Sequence, residues 1–326
     1  MGAQHSHVIE EFVAEIKEYE FHFCGALDYD EDEDNLRVVN VMKDRDEELR
    51  MRPVRRKDRS KGQPTLQRPG AAQESDQLES RKGIHNGDEL TKSIQLVSLG
   101  CYCGVKASFQ SIGRGSEHMP FDWMRTSLDG LLHFIRSDFA GFFNYVSGPI
   151  SIPGQTCVLY RGYQHSFWHD NPTDPAMVSK YERRMDRFNS IDGDARKVLF
   201  VRAVCDTKEV ARAPELLHEL KEAFGRQCML LMVMDFQHRM HGPVQTPAHP
   251  DILWYWNPPE AHKDSANVYV KPVLQALDWV VGRPVSGSAC KSVEEIFSAT
   301  DRHTAYYAYD HWVFEGLGVD GQPTKL

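Results

Sequence analysis

The stretch that decides the fold covers residues 198–234 and reads VLFVRAVCDTKEVARAPELLHELKEAFGRQCMLLMVM. Its two ends, Val198–Val201 and Met229–Met234, are short apolar runs that predict buried strands. Between them, Pro214–Phe224 predicts a helix that opens on a proline and closes at Gly225. Two strands joined by such a helix favour a crossover connection and a parallel pair. The pattern predicts an α/β fold, a three-layer sandwich with a mainly parallel sheet.

Further elements are expected on both sides of this unit. The apolar run from Ile94 to Val97 predicts a buried strand that ends at Gly100, and a helix is expected from about Gly104. Another strand is predicted over Ile252–Trp256 and another helix over Pro272–Val281. Other helix starts are expected at the capping box of Thr126 and Asp129, at Asp174-Pro175, and at the capping box of Ser292 and Glu295.

Composition divides the chain into four segments. Residues 1–43 are predicted to form an acidic amphipathic helical segment, because apolar residues recur there at spacings of three and four beside glutamates. Residues 44–90 are rich in charge, Gln, Gly, Pro and Ser, which predicts a disordered linker. The folded domain is expected over residues 91–316, followed by a flexible tail at 317–326.

Charge and cysteine content exclude several classes of protein. The 326-residue chain has a formal net charge of −9, which argues against a nucleic-acid partner. Its seven cysteines are odd in number and scattered, so we expect thiols in a reducing compartment such as the cytoplasm. No apolar run reaches the roughly 18–20 residues that span a bilayer. No metal-ligand spacing is found, and nothing indicates a cofactor.

The chain start carries a lipidation signal. Gly2 after Met1, with the small hydroxyl residue Ser6 at position six, matches the N-myristoylation pattern. One myristoyl chain binds a membrane only marginally, and the basic stretch near residues 50–61 would supply a second signal for peripheral membrane contact. The alternatives are a chance match at Gly2 and a solvated linker at the basic stretch.

A cysteine pair lies where the first predicted strand turns into a helix, in Ser98-Leu99-Gly100-Cys101-Tyr102-Cys103. A helix N-terminus lowers the pKa of a thiol and so favours the nucleophilic thiolate. Cys103 lies where that first turn begins, whereas Cys101 is nearer the strand and is expected to be a small core residue. The alternative for both is a purely structural thiol, because free cysteines are often buried.

Several motifs carry a resemblance to a known family. Val97-Ser98-Leu99-Gly100-x-x-Cys103 is followed by Pro120-Phe121-Asp122-Trp123 and then by His169-Asp170. Over about residues 94–235 the chain resembles a domain family of unknown function for which a papain-like cysteine peptidase activity is proposed. The resemblance implies a cysteine hydrolase with Cys103 as the nucleophile, His169 as the base, and Asp122 and Asp170 as the acidic positions. Its substrate would be a peptide or a small molecule.

The chemistry of these residue types agrees with that implication. A thiol attacks a carbonyl well when a base keeps it ionised and a third group orients the base. His165 is a competing base four residues before His169, in a stretch where Gly162 and a proline favour a loop. Asp122 could orient His169 or cap nearby backbone, and the residues leave both roles open.

Other candidate residues are expected to bind substrate. In a parallel sheet, ligand crevices lie at the carboxyl ends of the strands. Gly100, Arg202 and Asp235 follow or end predicted strands, and Gly104 opens the predicted helix. Trp123 belongs to the Pro-Phe-Asp-Trp motif.

Two other function classes remain open. A nucleotide- or sugar-binding transferase or binding module would use the Gly100–Gly104 loop to cradle a phosphate at the helix N-terminus. A non-catalytic interaction protein would use the acidic N-terminal helix and an aromatic stretch near residues 306–312. For the fold, the alternative is a papain-like α+β arrangement.

Overall fold

The computed structural model describes residues 88–101, 103–151, 158–162, 164–263 and 267–302. The predicted N-terminal helical segment, nearly all of the predicted linker and the predicted tail lie outside these residues. The predicted domain boundaries therefore stay predictions. The described structure begins at Asp88, whose carboxylate caps a short helix.

Ten strands form two sheets in the described part of the chain. In chain order they are β1 Gln95–Ser98, β2 Met124–Thr126, β3 Ser147–Ser151, β4 Val158–Arg161, β5 His165–Phe167, β6 Val198–Ala203, β7 Cys228–Met234, β8 Gly242–Gln245, β9 Ile252–Trp256 and β10 Ser288–Ala289. The larger sheet has the order β1-β6-β7-β9-β8-β10, and the smaller has the order β2-β5-β4-β3. Strands β1, β6, β7 and β9 are parallel neighbours, β8 runs antiparallel to β9, and the smaller sheet is antiparallel.

Seven α-helices accompany the strands among the described residues. They are α1 Glu89–Lys92, α2 Gly104–Ser111, α3 Leu128–Arg136, α4 Pro175–Asn189, α5 Ala213–Phe224, α6 Val270–Val280 and α7 Val293–Ala299. Two 3-10 helices cover Thr207–Arg212 and Pro259–Lys263.

Helix caps agree with the sequence in two places and differ in one. Asp174 caps α4 and Ser292 caps α7, as predicted. The predicted capping box starting at Thr126 is wrong, because Thr126 is the last residue of β2 and pairs with His165. Ser127 is the cap of α3, and its hydroxyl accepts the Gly130 amide at 3.1 Å.

The crossover unit that decides the fold is confirmed. Strand β6, helix α5 and strand β7 follow one another, and the two strands pair in parallel from Val198↔Cys228 to Ala203↔Val233. The α/β fold with a mainly parallel sheet is therefore correct, and the papain-like α+β alternative is not the observed architecture.

Both faces of the larger sheet are buried. Val198 and Phe200 of β6 belong to the core that contains Leu216 and Phe224 of α5. The alternate residues of β6, such as Leu199, are equally buried but face the other way, where α6 contacts β6 and β7. Two helical layers therefore enclose the sheet, and the predicted three-layer sandwich is confirmed.

Aromatic rings continue the core beyond the larger sheet. Phe188 of α4 meets Phe224 of α5 edge to face at 4.9 Å between ring centroids, and Phe224 stacks on Phe200 of β6 at 5.6 Å. On the other side, Phe188 contacts Phe121 at 5.4 Å. This chain of rings continues the core from the larger sheet to the segment that carries the Pro-Phe-Asp-Trp motif.

Candidate active site

Cys103 is the N-cap of α2, so the predicted strand-to-helix transition is confirmed. Its carbonyl accepts the Ala107 amide at 3.0 Å, which begins the helical hydrogen bonding. The residue is buried, with 4% of its surface exposed. The first amides of a helix have no carbonyl partner within that helix and form its positive end. The thiol of Cys103 is thus attached where partial positive charge gathers.

Lys106 connects this helix to the Pro-Phe-Asp-Trp motif. Its ammonium Nζ lies 2.9 Å from Asp122 Oδ2, and both side chains are 1% exposed. Residues three apart on a helix are neighbours on its surface, so Lys106 lies beside Cys103. The Asp122 carboxylate is therefore held next to the first turn of α2. The same Oδ2 atom accepts the Met119 amide at 2.8 Å, so Asp122 also caps backbone.

His118 is a site residue that the sequence analysis missed. Its Nδ1 accepts a hydrogen bond from Trp123 Nε1 at 3.1 Å and lies 3.8 Å from Asp122 Oδ2. Burial lowers the pKa of His118 to about 4, against the opposing effect of the Asp122 charge. Because an indole nitrogen only donates, the neutral ring carries its proton on Nε2. The spacing His-x-x-x-Asp, ending on the motif's aspartate, is the signal that could have found it.

His169 packs against the same tryptophan. Its ring meets the Trp123 ring edge to face, with centroids 6.1 Å apart. Burial lowers the pKa of His169, although the neighbouring Asp170 charge raises it. The ring is therefore neutral near neutral pH, in the form that can accept a proton. The structure thus brings Trp123 of the Pro-Phe-Asp-Trp motif into contact with His169.

Asp170 is bound by helix α4. It accepts hydrogen bonds from Lys180 Nζ at 2.7 Å and from the Tyr181 hydroxyl at 2.8 Å. Burial by itself would raise the pKa of Asp170, but the charge and hydrogen bond of Lys180 lower it below its usual value. A permanent negative charge therefore lies next to His169 in the chain.

The competing base, His165, belongs to strand β5 rather than to the expected loop. Its Nε2 lies 2.8 Å from the Phe142 carbonyl oxygen, and its ring meets Phe134 edge to face at 5.1 Å. This histidine is 2% exposed and lies in the aromatic core.

Arg202 is wholly buried at the end of β6. Its guanidinium binds both carboxylate oxygens of Glu209 at 3.0 and 2.9 Å, and it donates to the carbonyls of Leu99 and Thr126 at 2.9 and 2.8 Å. It also lies beside Gly100, whose φ is +74°. These bonds use four of its five N–H donors, and none of its surface is exposed, so its predicted contact with substrate stays a prediction.

Asp235 lies at the carboxyl end of β7, in a buried polar group. It accepts hydrogen bonds from the Tyr269 hydroxyl at 2.6 Å and from Asn257 Nδ2 at 2.9 Å, and His262 Nε2 is 3.1 Å away. Burial opposes ionisation, but the charge of His262 and these hydrogen bonds lower the pKa of Asp235. The Tyr269 amide donates to the Ser108 hydroxyl of α2 at 3.0 Å, which joins this group to the helix that Cys103 caps.

The predicted substrate-binding residues thus lie along one edge of the larger sheet. Gly100 follows β1, Arg202 lies near the end of β6 and Asp235 follows β7, and the three strands are parallel neighbours. Gly104 is the first residue of α2. Their contact with a substrate stays a prediction.

Two other predictions concern the membrane. Gly2 and the basic stretch near residues 50–61 lie outside the described residues. Within the described ranges, no helix combines the length and apolar character needed to cross a bilayer.

Comparisons with known proteins place this chain beside one family. An uncharacterized protein of Acanthamoeba polyphaga mimivirus is 26% identical over 174 residues, which cover 45% of this chain and 77% of the relative. No solved structure is significantly similar to the chain. The family match starts at the residue where the motif resemblance starts and ends just beyond β7. The resemblance is therefore confirmed: residues 94–237 match the family described as "Putative papain-like cysteine peptidase (DUF1796)".

Proposed function

We propose that the protein is a cysteine-dependent hydrolase of the papain-like peptidase class, with Cys103 as nucleophile and His169 as base. One observation carries the proposal. Two adjacent residues of the Pro-Phe-Asp-Trp motif contact the two segments that carry these groups, since Asp122 binds Lys106 of the helix that Cys103 caps and Trp123 contacts the ring of His169. The motif thereby connects the thiol-bearing helix to the histidine-bearing segment.

The proposed chemistry assigns each group a role. Neutral His169 takes the thiol proton, and the positive end of α2 stabilises the thiolate. The thiolate attacks the substrate carbonyl, and first-turn amides of α2 bind the developing oxyanion. His169 then protonates the leaving group, and water hydrolyses the acyl-enzyme. Asp170 stabilises the imidazolium. Asp122 is a positioning residue, because its carboxylate already forms an ion pair with Lys106 and accepts the Met119 amide.

The buried cations favour a hydrolase over a phosphate-binding module. A phosphate cradle at the N-terminus of α2 would gain from a nearby positive side chain. Lys106 is paired with Asp122 and Arg202 is paired with Glu209, so neither brings net charge to the Gly100–Gly104 loop. The binding module and the interaction protein stay as alternatives.

Thiol labelling tests this function. We expect iodoacetamide to alkylate Cys103 fastest of the seven cysteines near neutral pH, as measured by peptide mass after timed quenching. The comparison thiol is Cys228, whose pKa burial raises to about 12. We also expect His169→Asn to slow labelling of Cys103 about tenfold or more, because the base that ionises the thiol is lost.

A matched control separates this effect from a general loss of structure. His133 of α3 is a partly exposed histidine outside the proposed site, so His133→Asn should leave labelling of Cys103 unchanged. Equal labelling rates at Cys103 and Cys228 would overturn the proposed nucleophile. Unchanged labelling in a folded His169→Asn variant would overturn the proposed base.

A further inference from the structure

Two more thiols meet at the same edge of the larger sheet. Cys101 follows β1 and Cys205 follows β6, and 1% and 0% of their surfaces are exposed. Strands β1 and β6 are parallel neighbours, and backbone hydrogen bonds continue past their ends. The Cys101 amide donates to the Ala203 carbonyl at 3.4 Å, and the Ala203 amide donates to the Gly100 carbonyl at 2.9 Å.

The pairing of β1 with β6 brings the two backbones within range of a disulfide. The Cys101 amide donates to the Ala203 carbonyl, and Cys205 follows two residues after Ala203. Neighbouring parallel strands lie about 4.8 Å apart. Disulfides join Cα atoms about 4.4–6.8 Å apart.

The two thiols lie at the same edge of the sheet and differ in acidity. The two thiols hydrogen-bond to one another. This hydrogen bond and the charges of Arg125 and Arg202 lower the pKa of Cys101, although burial and the Glu209 charge oppose them. Burial raises the pKa of Cys205 well above its usual value. Cys101 is therefore the more acidic thiol of the pair.

We propose that Cys101 and Cys205 form a redox-active dithiol that closes to a disulfide when the protein meets hydrogen peroxide. The Cys101 thiolate attacks one peroxide oxygen, so an S–O bond forms, the O–O bond breaks and hydroxide leaves. The Cys205 sulfur then attacks the Cys101 sulfenic acid, so the S–S bond forms and the S–O bond breaks. The released hydroxides take up protons, one of them from Cys205. Two thiols are oxidised and one peroxide is reduced to two waters.

Burial of the pair selects the oxidant. Hydrogen peroxide is uncharged and little larger than water, so it can reach a buried sulfur through small local openings. A bulky, charged disulfide such as oxidised glutathione cannot approach either sulfur in the folded chain. This inference concerns Cys101 and Cys205 alone and holds whether or not Cys103 is a nucleophile.

Peroxide treatment of the full chain tests the dithiol. After peroxide is removed, the chain is unfolded in N-ethylmaleimide, digested and analysed by mass spectrometry. We expect a loss of two alkylated thiols and a linked pair of peptides that contain Cys101 and Cys205. We expect no such link after treatment with oxidised glutathione.

Variants identify the sulfur atoms. Cys205→Ser should abolish the link, whereas Cys103→Ser should keep it, which excludes a bond through the neighbouring thiol. Cys228→Ser is the matched control, because Cys228 is a buried thiol at the start of β7, at the other end of the sheet, and should leave the link intact. A link through Cys103, or oxidation of Cys101 to sulfinic acid with Cys205 still reduced, would overturn the proposal. The linked peptide in wild-type protein supports it even if a variant does not fold.

Discussion

Hydrogen bonding fixes where the proton of His118 lies. Trp123 Nε1 donates a hydrogen bond to its Nδ1, and Asp122 Oδ2 lies 3.8 Å from the same atom. Protonation of Nδ1 would cost the Trp123 hydrogen bond, and burial resists the added charge. The ring therefore presents an Nε2–H donor at neutral pH, beside residues that we assign to the site.

The free energy of unfolding should depend on pH because His118 is neutral in the folded chain. The pKa of His118 is about 4 in the folded chain, against 6.5 for an unperturbed histidine, so the unfolded chain binds more protons between these values. The neutral His118 contributes about 3 kcal/mol to the free energy of unfolding. This contribution is present above pH 6.5 and is lost as the pH falls to about 4. His118→Asn keeps an acceptor for Trp123 but cannot titrate. Urea unfolding should show a smaller loss of stability over this window in His118→Asn than in wild type.

The partly exposed His133 again supplies the control. His133→Asn should lose stability with falling pH as wild type does. A His118→Asn variant that loses as much stability as wild type would show that His118 is not held neutral.

At the level of elements, the turn between β4 and β5 depends on a glycine. A Cβ atom at Gly162 would overlap the His165 ring, most closely at Cε1. That ring cannot move aside, because Phe142 stacks on it and the Phe142 carbonyl is bonded to its Nε2. The absence of a side chain at Gly162 therefore allows β5 to pair with β4.

Gly162→Ala should destabilise the protein by about 1–3 kcal/mol or more, because overpacking displaces the ring. Chemical unfolding measures the change. In a His165→Ala background the same substitution should cost much less, since the obstructing ring is gone. Equal costs in the two backgrounds would contradict the proposed clash.

The sequence predicted the elements whose signals are local. β6, α5 and β7 alternate apolar runs with a capped helix, and the helix and the second strand were found within one residue of their ends. The smaller sheet was not predicted, because β2 and β5 have three residues each and show no alternation of apolar and polar side chains. The misplaced cap has the same cause. Thr126 and Ser127 are both capping residues, and only the pairing of Thr126 with His165 decides between them.

The candidate site was predictable to a similar extent. The position of Cys103 at the start of α2 follows from a strand, a glycine and a helix in succession. The Lys106–Asp122 pair does not follow from the sequence, because lysine is rarely buried and the partner lies on another segment. His118 was missed because its role depends on Trp123 folding back onto it.

At the scale of the whole molecule, Arg202 holds the two sheets together. One guanidinium joins the end of β1, through the Leu99 carbonyl, to the end of β2, through the Thr126 carbonyl. Glu209 balances its charge within a buried ion pair. Loss of this side chain would disconnect three segments and leave a buried carboxylate unpaired.

Arg202→Met should therefore destabilise the protein by about 3–5 kcal/mol, the usual cost of breaking a buried pair. Adding Glu209→Leu should recover part of that loss, because the unpaired charge is removed. The control is Arg212→Met, which removes a partly exposed arginine that pairs with Asp129 and Glu215 and should change little. Urea unfolding gives all three values, and equal effects at Arg202 and Arg212 would refute the structural role.

The neighbouring position of β1 and β6 also has a consequence for the order of folding. The two strands touch in the sheet, yet residues 99–197 separate them along the chain. Strands β6 and β7 are joined through α5 over a much shorter stretch, so their pairing requires a smaller loop to close. Contacts of long sequence separation slow folding, and the pairing of β1 is one of them. The β6-α5-β7 unit can therefore form before β1 pairs with it. Cys101 and Cys103, which follow β1, reach their partners only when β1 pairs with β6 at the edge of that sheet.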